Sequence, residues 1–144
     1  MRNDAGQVGD WLGQSNGGFV NNASFGATVS SDWHVLATGD FNGDGRTDVL
    51  WRNDNGTVTD WLGQSNGSLA SNPVYASIPT NWHVVATGDF NGDGIDDILV
   101  RSDTGQIGDW LGQSNGGFVN NASFGGTVPT SWHVQDPFVH DGIF

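Results

Sequence analysis

Asp60–Gly67 reads DWLGQSNG, and the same octapeptide stands at Asp10–Gly17 and at Asp109–Gly116. A WHV tripeptide keeps step with it, beginning at Trp33, Trp82 and Trp132. The spacing is about 50 residues, a period that belongs to solenoid and propeller arrays. Gly6–Gly26 and Gly105–Gly125 differ only at Val8 against Ile107, as expected of copies from a recent duplication. The structural unit is therefore the repeat, and the fold has to be legible in one copy.

Within one copy the apolar residues alternate over short runs, WHVLATGDF, TDVLWRND, GTVTDWLGQ and SLASNPVYASI, separated by Gly, Asn and Asp clusters. A period of two over such lengths predicts four short strands rather than helices. Asp54–Thr57 (DNGT) and Asp103–Gln106 (DTGQ) read as tight hairpin turns, because Gly supplies the positive φ that these turns require. Four antiparallel strands in about 50 residues make a propeller blade, so the chain is expected to be all-β. A β-solenoid is the alternative reading of the same period.

The copies set the expected boundaries: a partial blade over residues 1–31, blades over 32–80 and 81–130, and a partial closing blade over 131–144. Met1–Gln14 aligns with Trp51–Gln64, so the first segment enters a blade at its second strand. The last segment offers SWHV as a first strand, and then DGIF, Asp141–Phe144, where the preceding copy has DDILV. One blade is thus expected to be shared between the N- and C-terminal segments. About three blades cannot close a ring, which takes ~4 to 8. The expected partner is a second copy of the chain, a homodimer of six blades joined head to tail; such contacts otherwise run on as filaments. The other reading is a piece cut from a longer array.

Composition narrows the function. The 144 residues include 23 Gly and 7 Trp but no Cys, and 16 acidic residues against 4 basic ones give a formal net charge of -12. Nucleic acid is not an expected partner, since a polyanion is bound by exchanging its counterions for Lys and Arg. Membrane insertion is not expected either, for no apolar run approaches the ~18 residues of a spanning helix. Such a balance suits cations.

The acidic residues are concentrated in one motif. Gly39–Asp48 reads GDFNGDGRTD and returns at Gly88–Asp97 as GDFNGDGIDD. Read as Asp-x-Asn-x-Asp-Gly-x-x-Asp, the first loop offers the side chains of Asp40, Asn42, Asp44 and Asp48 with the carbonyl of Arg46. The second offers Asp89, Asn91, Asp93 and Asp97 with the carbonyl of Ile95. Oxygens on alternate residues of a curled loop are what Ca2+ requires, with Gly45 and Gly94 at the sharp turn. Mg2+ fits less well, because it prefers a water-rich octahedron. An EF-hand is excluded: its bidentate Glu would fall on Trp51 and Val100, which lie in strand patterns. In the third copy Val139, His140, Asp141 and Gly142 replace most of the ligands, so no complete site is expected there.

This loop, between strands of a blade-sized repeat, resembles the calcium loop of FG-GAP and VCBS-type (integrin-like) propeller repeats. The resemblance covers nearly the whole chain as repeats. It implies a secreted or cell-surface protein, such as an adhesin, a lectin or the accessory region of a secreted hydrolase, although the opening residues carry no signal peptide. It implies Ca2+ as cofactor and a glycan or a surface protein as ligand. Trp11, Trp61 and Trp110, each within DWLGQSNG, are candidate sugar-stacking residues, weighed against their use as blade core. His34, His83 and His133 recur after a Trp and are expected to tie strands together. No nucleophile elbow, paired Glu or unique constellation breaks the repeat, so no catalytic residue is assigned and the chain is not expected to be an enzyme. A purely structural ring or filament protein is the competing function.

Overall fold

The structure is a computed structural model, described over residues 1–135. Fourteen strands follow one another: β1 (Gln7–Val8), β2 (Trp11–Gly13), β3 (Phe19–Asn21), β4 (Ala27–Thr28), β5 (Trp33–Gly39), β6 (Asp48–Asn53) and β7 (Thr57–Gly63). Then come β8 (Leu69–Ser71), β9 (Ala76–Ser77), β10 (Trp82–Gly88), β11 (Asp97–Ser102), β12 (Gln106–Gly112), β13 (Phe118–Asn120) and β14 (Gly126–Thr127). All pairings are antiparallel, and the described residues contain no helix. The expected closing strand Asp141–Phe144 and the degenerate loop before it lie outside the described residues.

Two sheets are whole blades. In the middle blade β5, β6 and β7 pair in order, and β7 carries β8 on one half and β9 on the other. The third blade repeats this with β10, β11 and β12 flanked by β13 and β14. Even the irregularity is repeated, with register shifts between Val35 and Ala37 and between Val84 and Ala86. The first blade has the outer half only, as two small sheets β1–β4 and β2–β3.

The outermost strand differs from the single run expected of SLASNPVYASI. The cut falls at Asn72 and at the equivalent Asn22 and Asn121 of the other blades, where Ala replaces Pro73; each Asn side chain accepts the amide two residues on and turns the chain out of the ladder. Around it Asn72 donates its amide to the carbonyl of Asp60, and the Thr59 hydroxyl bridges the carbonyls of Asn72 and Val74. These bonds pin the segment between β8 and β9 beside the sheet.

The core lies between the two whole blades. Phe41, Leu50, Val58 and Ile78 from one meet Ile98 and Val100 from the next, all buried, with Trp82, Trp110 and Phe118 packed against them. Each such side chain contributes about 1.5–3 kcal/mol by leaving water. Three of the four Arg act as staples between a blade and the crossover leaving it. Arg52 donates to the carbonyls of Ile78 and Pro79, Arg101 to those of Pro129 and Trp132, and Arg2 to those of Val29 and Ser30. His34 and His83 bond Asp54 and Asp103 in the hairpin turn of their own blade, at 2.8 and 2.7 Å.

Asp60 of DWLGQSNG is fully buried; its Oδ1 accepts from Asn72 Nδ2 at 2.8 Å, while Oδ2 has no partner. Burial, with a smaller push from Asp48, raises its pKa to about 6 from 3.8. The folded state then holds this proton more tightly than the unfolded state, so its contribution to stability falls as pH rises from about 4 to about 6. Asp60→Asn should remove that slope: the urea midpoint of the variant gains on the native chain across the window and holds its lead above it. Parallel pH profiles would assign the titration to another group.

Candidate metal centre

The two acidic loops join β5 to β6 and β10 to β11, so each sits at one end of the inner hairpin of its blade. Both are wound around their own side chains. Asp40 accepts three backbone N–H groups, from Gly43 and Asp44 at Oδ1 (2.8 and 3.0 Å) and from Gly45 at Oδ2 (2.7 Å). Asp89 does the same with Gly92, Asp93 and Gly94 at 2.7, 3.0 and 2.9 Å. Asn42 then accepts from the amide of Asp44, and Asp44 from that of Arg46; Asn91 and Asp93 repeat both bonds. The curl is possible because Gly45 and Gly94 take φ of 80° and 87°, which side chains with a Cβ rarely adopt. These amides hold the carboxyls of Asp44 and Asp89 below the usual carboxylate range.

The last acidic residue of each loop plays a different part. Asp48 and Asp97 are fully buried, and each carboxylate bonds in two directions. Asp48 accepts from the Phe41 amide within the loop and from the Gly63 amide at the end of β7, both at 2.8 Å. Asp97 accepts from Phe90 and Gly112 at 3.0 and 2.9 Å. Burial pushes both carboxyls upward, the two amides opposing it, and the neighbouring Asp44 and Asp93 add to the rise. The glycine of WLG is required by this contact, since a Cβ on Gly63 would stand 2.5 Å from the carbonyl oxygen of Thr47.

The loops also touch each other. Asp96 Oδ2 accepts from the amide of Asp40 at 2.8 Å, and the Asp96 amide donates back to the Asp40 carbonyl at 2.8 Å. Position eight of the motif is Thr47 in the first loop and Asp96 in the second, and that difference was the sequence signal for a bridge that the motif reading passed over. A second difference matters as much. Arg46 lays its guanidinium on Asp44 Oδ2 at 2.7 Å, where the second loop has Ile95 and leaves Asp93 bonded to Asn91 Nδ2 at 3.0 Å.

The donor types match a hard divalent cation: carboxylate, amide and carbonyl oxygens at alternate positions of a curled loop. Among the described residues no three Asp or His side chains are gathered around one point, and the loop carboxylates are engaged by backbone N–H groups. The structure brings Asp40, Asn42 and Asp44 together by direct bonds, and likewise Asp89, Asn91 and Asp93, with Asp48 and Asp97 joined through the amides of Phe41 and Phe90.

The three sugar-stacking candidates do not converge. Trp11 is half exposed in the first blade, and Trp110 packs on the core. Trp61 stands 5.0 Å from Trp51 and takes the edge of Phe25 at 6.1 Å. Beside Trp61 opens a cavity of about 290 Å³, lined by Trp33, Trp51, Thr59, Ser71 and Tyr75. Ladder positions equivalent to Trp51, Thr59 and Ser71 hold Val100, Gly108 and Asn120 in the third blade. Substitutions that distinguish the middle copy are thus gathered on one cavity wall.

Asp48→Ala or Asp97→Ala should destabilise the chain in EDTA by about 2–5 kcal/mol, because each leaves two N–H groups without their acceptor. Asp44→Ala, at an exposed site, should leave the urea midpoint in EDTA nearly unchanged. Equal effects in the two variants would contradict the separate roles described for them.

Comparison with curated proteins finds no match to the chain. Residues 40–100, from the first acidic loop through the second to β11, match the family model described as an FG-GAP-like repeat. That segment holds both loops and strands β6 to β10 between them, and it is this part of the chain that is similar to an FG-GAP-like repeat.

Proposed function

We propose that the chain is a calcium-binding β-propeller module that acts outside the cell in adhesion, binding a carbohydrate or protein ligand, and that its copies assemble head to tail into a closed propeller. The observation that carries calcium binding is the loop itself: two copies, about 50 residues apart, wind nearly the same carboxylates and amides into the same hydrogen-bonded curl. Asp40, Asn42, Asp44 and Asp48 with the Arg46 carbonyl would hold one ion, and Asp89, Asn91, Asp93 and Asp97 with the Ile95 carbonyl the other. Calcium would supply the positive charge that offsets the repulsion of the carboxylates its binding would draw together. To take an ion, Asp44 must release Arg46, whereas among the described residues Asp93 has no cation to displace.

For the ligand, the cavity beside Trp61 supports a carbohydrate. Aromatic faces with nearby hydroxyls suit a sugar ring, which offers apolar C–H faces and a polar rim. A catalytic role is not proposed, since the His–Asp pairs are surface ties repeated in both whole blades. A structural ring without a ligand is the second reading, favoured by half-exposed aromatic residues on both outer blades.

Thermal melting against calcium tests the metal directly. Metal at 100 times its dissociation constant adds about 2.7 kcal/mol per site, so the native chain should gain several degrees. Asp44→Ala with Asp93→Ala should lose the gain, and Arg46→Ala should strengthen binding at the first loop. A calcium response unchanged in the double variant would sink the assignment. Glycan array binding that survives Trp61→Ala and Tyr75→Ala would remove the cavity as the ligand site.

A further inference from the structure

The contact between one blade and the next is built twice inside the chain. In the joint between the middle and third blades, Phe41 packs edge-on against Phe118, ring centroids 5.5 Å apart. Asn72 Nδ2 donates to the carbonyl of Asn115, and the turn glycine Gly116 sits so close that a Cβ there would stand 3.0 Å from Asp60 Oδ2. In the joint between the first and middle blades, Phe25 meets Trp61 edge-on at 6.1 Å, and a Cβ on Gly67 would stand 2.5 Å from Leu12 Cδ2. A joint thus consists of an aromatic edge contact and a QSNG turn seated on the Asp–Asn pair of the preceding blade.

Each half of a third joint is present and unpaired among the described residues. Phe90 is the repeat equivalent of Phe41 and Phe19 that of Phe118; they are 51% and 70% exposed, whereas Phe41 is buried. Phe124 is the equivalent of Phe25 and Trp11 that of Trp61, 48% and 49% exposed. Asp109 and Asn121 bond each other as Asp60 and Asn72 do, and each aspartate keeps one oxygen without a partner among the described residues. On the first blade a Cβ on Gly17 meets nothing within 4 Å.

We infer that these halves are the two sides of one interface between copies of this chain: the third blade of one copy receives the first blade of the next. Phe90 packs on Phe19 and Phe124 on Trp11 of the neighbouring copy, and the Gln14–Gly17 turn seats on Asp109 and Asn121. The inference rests on the proposed head-to-tail assembly and gives it residues. The sequence on the two outer blades is nearly identical to that of the blades forming the internal joints, so no new contact geometry is needed. Burial of four aromatic side chains makes the hydrophobic centre that a stable interface needs.

The test uses the full chain in calcium, which contains no native Cys. Phe19→Cys and Phe90→Cys chains are prepared separately and mixed with a short bismaleimide. A cross-linked dimer is expected in the mixture and in neither chain alone, because each variant carries one half of the contact. Gly17→Asn, a residue that tolerates positive φ, should weaken association at least tenfold by light scattering while the dissociated chain keeps its melting temperature. Native chain that stays at one-chain mass through millimolar concentration overturns both the assembly and the interface. Native chain at twice 15.2 kDa, with Gly17→Asn associating equally well or with cross-links forming in the single variants, overturns this interface and leaves the assembly standing.

Discussion

Each whole blade depends on one buried carboxylate, Asp48 in the middle blade and Asp97 in the third. A carboxylate removed from water is costly unless its oxygens are engaged, and here both are, by one amide from the loop and one from the third strand. That arrangement fixes three things at once. It holds the loop closed on the hairpin, it aligns β7 or β12 with the loop, and it demands Gly63 or Gly112 at the point of contact. The acidic loop is therefore part of the blade's skeleton and not an appendage to it. A cation bound in the loop would act on the same network that holds the strands.

The repeats are nearly identical in sequence, yet equivalent residues live in different surroundings. Trp61 is covered by Trp51 and Phe25, while Trp11, in the same octapeptide, is half exposed. Phe41 is buried and Phe90 is not. These contrasts come from position in the array, since a blade is finished only by its neighbours. Departures from the repeat carry a second kind of information. Arg46 against Ile95 separates the two loops electrostatically, and Asp96 against Thr47 creates the only acidic bridge seen between them among the described residues. Trp51, Thr59 and Ser71 give the middle blade a cavity wall unlike its sister's.

Blade-sized repeats, antiparallel strands and the two loops were all legible in the chain, because periodicity and Gly–Asp spacing are local properties. DWLGQSNG was legible as a unit but not as a joint: its Asp bonds an Asn 12 positions on, and its turn seats on the preceding blade through a contact that spans 43 positions. The broken outer strand was hidden because SLASNPVYASI alternates well enough to read as continuous, and only the bonds of Thr59 and Asn72 show where it breaks.

By itself the sequence determined what each copy is: strand periodicity, turn glycines, the ligand types of the acidic loop and a net charge suited to cations. Tertiary structure decided what each copy meets. Which carboxylate is buried and which exposed, which Trp is core and which is surface, and where the copies' small differences converge are set by contacts between blades. Such contacts join residues far apart in the chain, and no short-range pattern encodes them.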